Sequence, residues 1–167
     1  MNERKTRTWQ NEIAASVLVL VTGLARLVIA GPDAAGAHPT EPWTAAEILQ
    51  PAELASHLGE AGAPAVVYVG FKALYRPGHI PGAPLQGPTS EPQGLADLQR
   101  WATPLPRTTM VVIYCGCCPV DRCPNVRPAF TTLRKMGFTN LRVLWLPTSF
   151  EADWVKKGLP LEANETK

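Results

Sequence analysis

The chain predicts one α/β domain, a mainly parallel, five-stranded sheet with helices on both faces. Three observations predict it. Residues 65–69 and 110–114 are short apolar runs with the length and β-branched content of buried strands. Segments of helical period with start and stop signals lie between such runs. Strands and helices alternate throughout, the order that lays crossover helices over a parallel sheet. The 167 residues suffice for one domain and a tail. The net charge of +2 offers no nucleic-acid footprint. The seventeen prolines fall mainly between periodic segments, where they punctuate loops.

In chain order, residues 1–37 read as an export signal. Arg4, Lys5 and Arg7 form a basic start, residues 13–30 are mainly apolar, and Ala35-Gly36-Ala37 is a small-residue site that puts cleavage before His38. Glu12 borders the apolar run and Arg26 interrupts it, so an uncleaved membrane anchor through 13–30 is the alternative. Either way the domain is expected outside the cytoplasm, periplasmic or anchored facing the periplasm. Residues 38–44 form a Pro-containing linker, 45–160 the domain and 161–167 a polar tail.

Ile48-Leu49 reads as an edge strand. Residues 51–58 form a helix with Pro51 at its start, Leu54 and Leu58 one turn apart, and Gly59 beyond its end. His57, on that helix, is expected in solvent. The strand at 65–69 is bounded by Pro64 and Gly70. A short helix at 71–75 leads into Arg76-Pro77-Gly78-His79-Ile80-Pro81-Gly82-Ala83, whose glycines and prolines predict a tight turn before a short strand around Leu85. His79 is expected there as a turn residue with its ring on the backbone. Residues 95–101 are helical, with Leu95, Leu98 and Trp101 at spacings of three. The strand at 110–114 follows. Residues 125–136 form a helix with Phe130, Leu133 and Met136 on one face, and Gly137 stops it. A last strand at 141–146 and a closing helix at 153–157 complete the domain. Tyr114, Trp145 and Trp154 are expected to pack.

All four cysteines, Cys115, Cys117, Cys118 and Cys123, lie between that central strand and the helix after it. So tight a group makes one local site and cannot staple distant parts of a fold. Ligands in open α/β sheets sit off the carboxyl ends of strands. A helix N-terminus just beyond favours a thiolate or a bound oxyanion. Cys115, at the strand end, is therefore the candidate nucleophile, with a thiol expected below the free value of about 8.5. Cys123, at the foot of the helix, is a rival or a resolving partner. Gly116 and its neighbours offer loop N–H groups, and Arg122 or Arg127 can pair with a donor oxyanion as a planar fork.

Gly78-His79-Ile80-Pro81-Gly82-Ala83 resembles the GHIPGA turn of the rhodanese (thiosulfate sulfurtransferase) family. Val111-Val112-Ile113-Tyr114-Cys115 resembles the strand that delivers that family's catalytic cysteine, and Leu133 to Phe138 with the strand after them resembles its last helix end and strand. The resemblance covers roughly residues 45–158. It implies a sulfurtransferase in which Cys115 takes sulfane sulfur from a thiosulfate- or persulfide-type donor, as a persulfide, and passes it to a thiol or cyanide, without a cofactor. Gly70 and Tyr68 stand where many members carry an arginine and an aspartate, and the cysteine loop is longer than the usual six residues.

The cysteines leave other readings open. Cys115 and Cys118 form a C-x-x-C pair, and Cys118 with Cys123 closes a small loop, so a thiol–disulfide protein or a structural staple fits the compartment. Cys117 and Cys118 are adjacent and too close for an ordinary disulfide. A metal site of Cys115, Cys117, Cys118 and Cys123 lacks the paired knuckles of zinc sites, and copper(I) suits such soft ligands equally.

Overall fold

The computed structural model describes residues 41–163. The expected export signal or anchor lies outside them. Among the described residues no helix is long and apolar enough to cross a membrane.

Strands β1 (Ile48–Leu49), β2 (Ala65–Tyr68), β3 (Val111–Tyr114) and β4 (Leu141–Leu144) form one sheet in the order β1-β4-β3-β2. Every pairing is parallel, with Tyr68 beside Tyr114 and Ile113 beside Val143. The expected fifth strand is a correction. Around Leu85 there is a single parallel bridge to Tyr68, made by Tyr68 N–H to the Pro84 carbonyl and Gln86 N–H to the Tyr68 carbonyl. Pro84 and Pro88 lack the N–H that a longer ladder needs, so pairing stops there.

The sheet is buried on both faces, as parallel sheets are. Side chains alternate along each strand. Val67, Val69, Val111, Ile113 and Val143 face a core shared with helices α3 (Pro92–Ala102) and α4 (Val126–Lys135). Val66, Tyr68, Val112, Tyr114 and Leu144 face a second core with α1 (Pro51–His57), the turn at Ile80 and helix α5 (Phe150–Asp153). A one-turn helix, α2 (Lys72–Tyr75), lies between β2 and that turn.

Helix α3 starts three residues earlier than expected because Pro92 occupies its first turn, where no donor is needed. Its Gly94 lies against the preceding loop, and a Cβ there would come within 2.0 Å of the Pro88 carbonyl oxygen. The closing helix is also shifted. Ser149 Oγ accepts from Ala152 N–H, and Asp153 accepts from the N–H groups of Thr148 and Ser149, so α5 starts at Phe150. A 3₁₀ turn, Val155–Lys157, follows it. Trp154, between the two, is fully buried and donates from Nε1 to the Pro160 carbonyl at 2.8 Å.

His57 is exposed beside Glu60. His79 is a buried turn residue, stacked on Tyr75 with ring centroids 3.9 Å apart and Nδ1 3.3 Å from the Tyr75 carbonyl. The domain runs past residue 160. His79 and Glu162 exchange backbone hydrogen bonds, and the Glu162 carboxylate accepts from Gly82 N–H. The tail thus clasps the turn that leads to the sheet edge.

Candidate functional site

Strand period sets the site. Val111 and Ile113 point into the α3–α4 core, so Cys115, the next residue of that parity, points there too. Tyr114 points the other way, and its hydroxyl accepts from Ile80 N–H at 3.0 Å. Cys115 ends up 3% exposed at the carboxyl end of β3, under the N-terminus of α4.

The long loop folds back onto it. Pro119 and Pro124 flank a 3₁₀ turn, Val120–Arg122, whose buried Val120 donates to the Leu146 carbonyl and so ties the loop to the chain just past β4. Arg127 clamps the far side. Its guanidinium meets the carbonyls of Cys123 and Asp121 and the carboxylate of Glu41. The expected oxyanion fork at Arg127 is therefore engaged in holding the loop. Arg122 is exposed on the 3₁₀ turn. The loop returns Cys123, fully buried, to Cys115.

The outcome is a cluster of sulfurs. The Sγ atoms of Cys115, Cys117 and Cys123 all lie within 4.8 Å of one another. Cys117 is 3.2 Å from Cys115, 4.0 Å from Cys123 and 3.0 Å from Cys118. The four are free thiols, and Cys117 and Cys118 are half-buried. Gly116 lies on another side and lines a cleft of about 230 Å³ with Leu74, Phe150, Glu151 and Leu161.

The expectation that Cys115 is the depressed thiol is corrected. Cys123 is held well below the free-thiol range, first by hydrogen bonds from the Cys115 and Cys117 thiols and then by the N–H groups of Asn125 and Val126. Those amides are the unpaired donors at the start of α4. The Cys117 thiol favours the Cys115 anion, but Cys115's hydrogen bond to Cys123, its burial and the Cys123 charge outweigh that and raise it. Cys117 and Cys118 are raised as well, Cys117 first by its hydrogen bond with Cys115 and Cys118 first by burial.

Three residues without a functional reading in the sequence complete the site. Asn125 is fully buried, and its amide spans the gap between loops. Nδ2 donates to Cys115 Sγ at 3.7 Å, and Oδ1 accepts from Ser90 N–H at 3.0 Å. Thr89, also fully buried, donates to the Asn125 carbonyl at 2.5 Å. Burial raises the Tyr68 hydroxyl out of reach of titration, and it stays a phenol donating to the Phe71 carbonyl. In the sequence Asn125 is only the first residue of the expected helix; its side chain turns to sulfur.

Gly70 explains its departure from the family pattern. A Cβ there would stand 2.7 Å from both Cys115 Sγ and Tyr68 Oη. Cys115 occupies the space that a side chain at 70 needs. Gly70→Ala is expected to cost about 1–2 kcal/mol of stability by overpacking, read by urea unfolding, and to displace the Cys115 sulfur, read as altered alkylation of that thiol. A variant equal to wild type in both would show that the sulfur has room to move.

No protein-family model matches the chain, and no curated protein matches it. Solved structures do. The rhodanese-like domain of an Anabaena sp. protein aligns with a TM-score of 0.51 at 23% identity, over 71% of this chain and 80% of that one. A rhodanese-related protein from Thermoplasma volcanium aligns at 0.51 and 15% identity, over 71% of this chain and 99% of that one. A thiosulfate sulfurtransferase from Pseudomonas aeruginosa aligns at 0.50 and 25% identity, over 72% of this chain but 20% of its own length. The fold is rhodanese-like. Within that fold, the cysteine cluster lies at the carboxyl end of β3.

Proposed function

We propose that the protein is an exported sulfurtransferase that carries sulfane sulfur as a persulfide on Cys115. One observation carries the reading most: Cys115 sits at the carboxyl end of the central parallel strand, in contact with a second thiol and an amide donor. The Cys115 thiol gives up its proton to solvent, and the thiolate attacks the outer sulfur of thiosulfate. The bond to the sulfonate sulfur breaks, and sulfite leaves with the bonding pair. Cys115 then holds one additional sulfur as a persulfide anion. A thiolate or cyanide attacks that outer sulfur and returns Cys115 as thiolate, giving a new persulfide or thiocyanate. A low-molecular-weight persulfide serves as donor by the same displacement, with a thiolate as leaving group.

The half-buried Cys117 and Cys118 form the solvent side of the cluster, where a donor arrives. The basic start, apolar run and Ala35-Gly36-Ala37 site support placing this chemistry outside the cytoplasm.

The test is an intact-mass measurement on reduced protein incubated with thiosulfate, then with a small persulfide. A gain of one sulfur, mapped to Cys115 and removed by cyanide, is expected. Mild oxidation that lowers the mass by two hydrogens, in protein that takes sulfur from neither donor, would sink the proposal. It would favour the redox reading that the 3.2 Å Cys115–Cys117 contact keeps in play.

A further inference from the structure

We propose that Cys115, Cys117 and Cys123 form a three-thiolate site for one soft d10 cation, copper(I) in the first instance. The inference goes beyond sulfur transfer and does not depend on it. A metal–thiolate bond is about 2.3 Å long, so three sulfurs around one ion in a plane stand about 4 Å apart. The three sulfurs already lie within 4.8 Å of one another, with Cys117 at 3.2 Å from Cys115 and 4.0 Å from Cys123. Side-chain rotations of tenths of an ångström close the triangle.

The surroundings fit thiolates better than packed thiols. Cysteine is often buried as a small hydrophobe, which needs no polar partner. Here Asn125 Nδ2 donates to Cys115 Sγ at 3.7 Å, and Cys123 lies just ahead of the N-terminus of α4. N–H donors placed behind sulfur ligands are the outer shell that orients a metal site. The candidate ligand set contains sulfur alone, and soft thiolates select copper(I) or zinc over harder ions. Three ligands suit copper(I), whereas structural zinc takes four in a tetrahedron. Cys118 joins the cluster through Cys117, at 3.0 Å, and lies outside the triangle. Its half-exposed thiol gives an incoming ion a first ligand to exchange onto.

Binding is substitution without redox change. The cation forms three bonds to sulfur, and the Cys115, Cys117 and Cys123 thiols release their protons to solvent.

The test uses the full chain, reduced and anaerobic, titrated with copper(I) against bicinchoninate, whose colour reports the metal it wins. Wild type is expected to withhold one copper per chain. Cys115→Ser and Cys117→Ser are expected to weaken retention at least about tenfold, and Cys118→Ser to leave it within about threefold. Circular dichroism checks that each variant is folded, and the half-buried Cys117 keeps the test informative if a buried substitution unfolds the chain. Wild type that yields all its copper to the competitor, or retention unchanged in both Cys115→Ser and Cys117→Ser, would overturn the site. So would one equivalent of bound zinc that copper(I) fails to displace. Metal retention is read without any sulfur donor, so its failure and a failure of sulfur transfer are separate results.

Discussion

Cys115→Ser is expected to take up no sulfur from thiosulfate, while Cys118→Ser is expected to gain one sulfur atom as wild type does. The contrast rests on where each sulfur sits. Cys115 ends the central strand, 3% exposed and in reach of Asn125 Nδ2, whereas Cys118 stands at the edge of the cluster against Cys117. A serine hydroxyl titrates far above neutrality and does not displace sulfite from a sulfane sulfur, so no residual carrier remains. Cys123→Ser is expected between the two. Cys123 is one corner of the sulfur triangle around Cys115, and serine there removes a sulfur neighbour of the carrier. A lost hydrogen-bond partner is worth about 0.5–1.5 kcal/mol, so a slowing of uptake of up to about tenfold is expected, read by quenched-flow mass spectrometry. If Cys115→Ser still gains one sulfur and Cys123→Ser gains none, the carrier is Cys123 and the assignment of roles is reversed.

The strand that carries Cys115 was legible because its signal is local. Four consecutive apolar residues followed by a loop have few alternatives, and alternation along the strand settles which face the next side chain takes. Helix α4 was legible for the same reason, with buried Val126, Ala129, Phe130 and Leu133 on one face and Gly137 at positive φ beyond its end. The strand at Leu85 was misjudged because an apolar residue between two prolines satisfies a composition pattern that a hydrogen-bond ladder cannot use. The cysteines declared a site but not its electrostatics. Which sulfurs meet depends on where the loop returns after Pro119, and that return is made by contacts with Leu146, Arg127 and Glu41. Arg127 shows the limit most clearly. A guanidinium near a cysteine loop reads as an anion fork, and only the fold shows its donors turned to the loop's own carbonyls.

Asn125→Ala and Asn125→Asp are expected to separate stability from reactivity at this site. The side chain does two jobs with two atoms. Oδ1 accepts from Ser90 N–H at 3.0 Å, and Nδ2 donates to Cys115 Sγ at 3.7 Å. Alanine removes both, and the Ser90 N–H loses its partner at a position where Asn125 is fully buried. An unsatisfied buried donor costs about 1–3 kcal/mol, so Asn125→Ala is expected to lose about 2–3 kcal/mol in urea unfolding. The Thr89 bond to the Asn125 backbone carbonyl survives in either variant and keeps the loop in place. Aspartate keeps an acceptor for Ser90 but offers Cys115 no donor, and it sets a carboxylate near the Cys123 sulfur. Asn125→Asp is therefore expected to retain more of the stability than Asn125→Ala. It should nevertheless slow both alkylation and sulfur uptake at Cys115, because the Cys115 anion loses its hydrogen bond and gains a negative neighbour. The readouts are the urea midpoint and the pH profile of iodoacetamide alkylation at Cys115, which is expected to move to higher pH in Asn125→Asp. A profile that stays with wild type while the midpoint falls would mean that Asn125 only joins two loops and has no part in holding the sulfur.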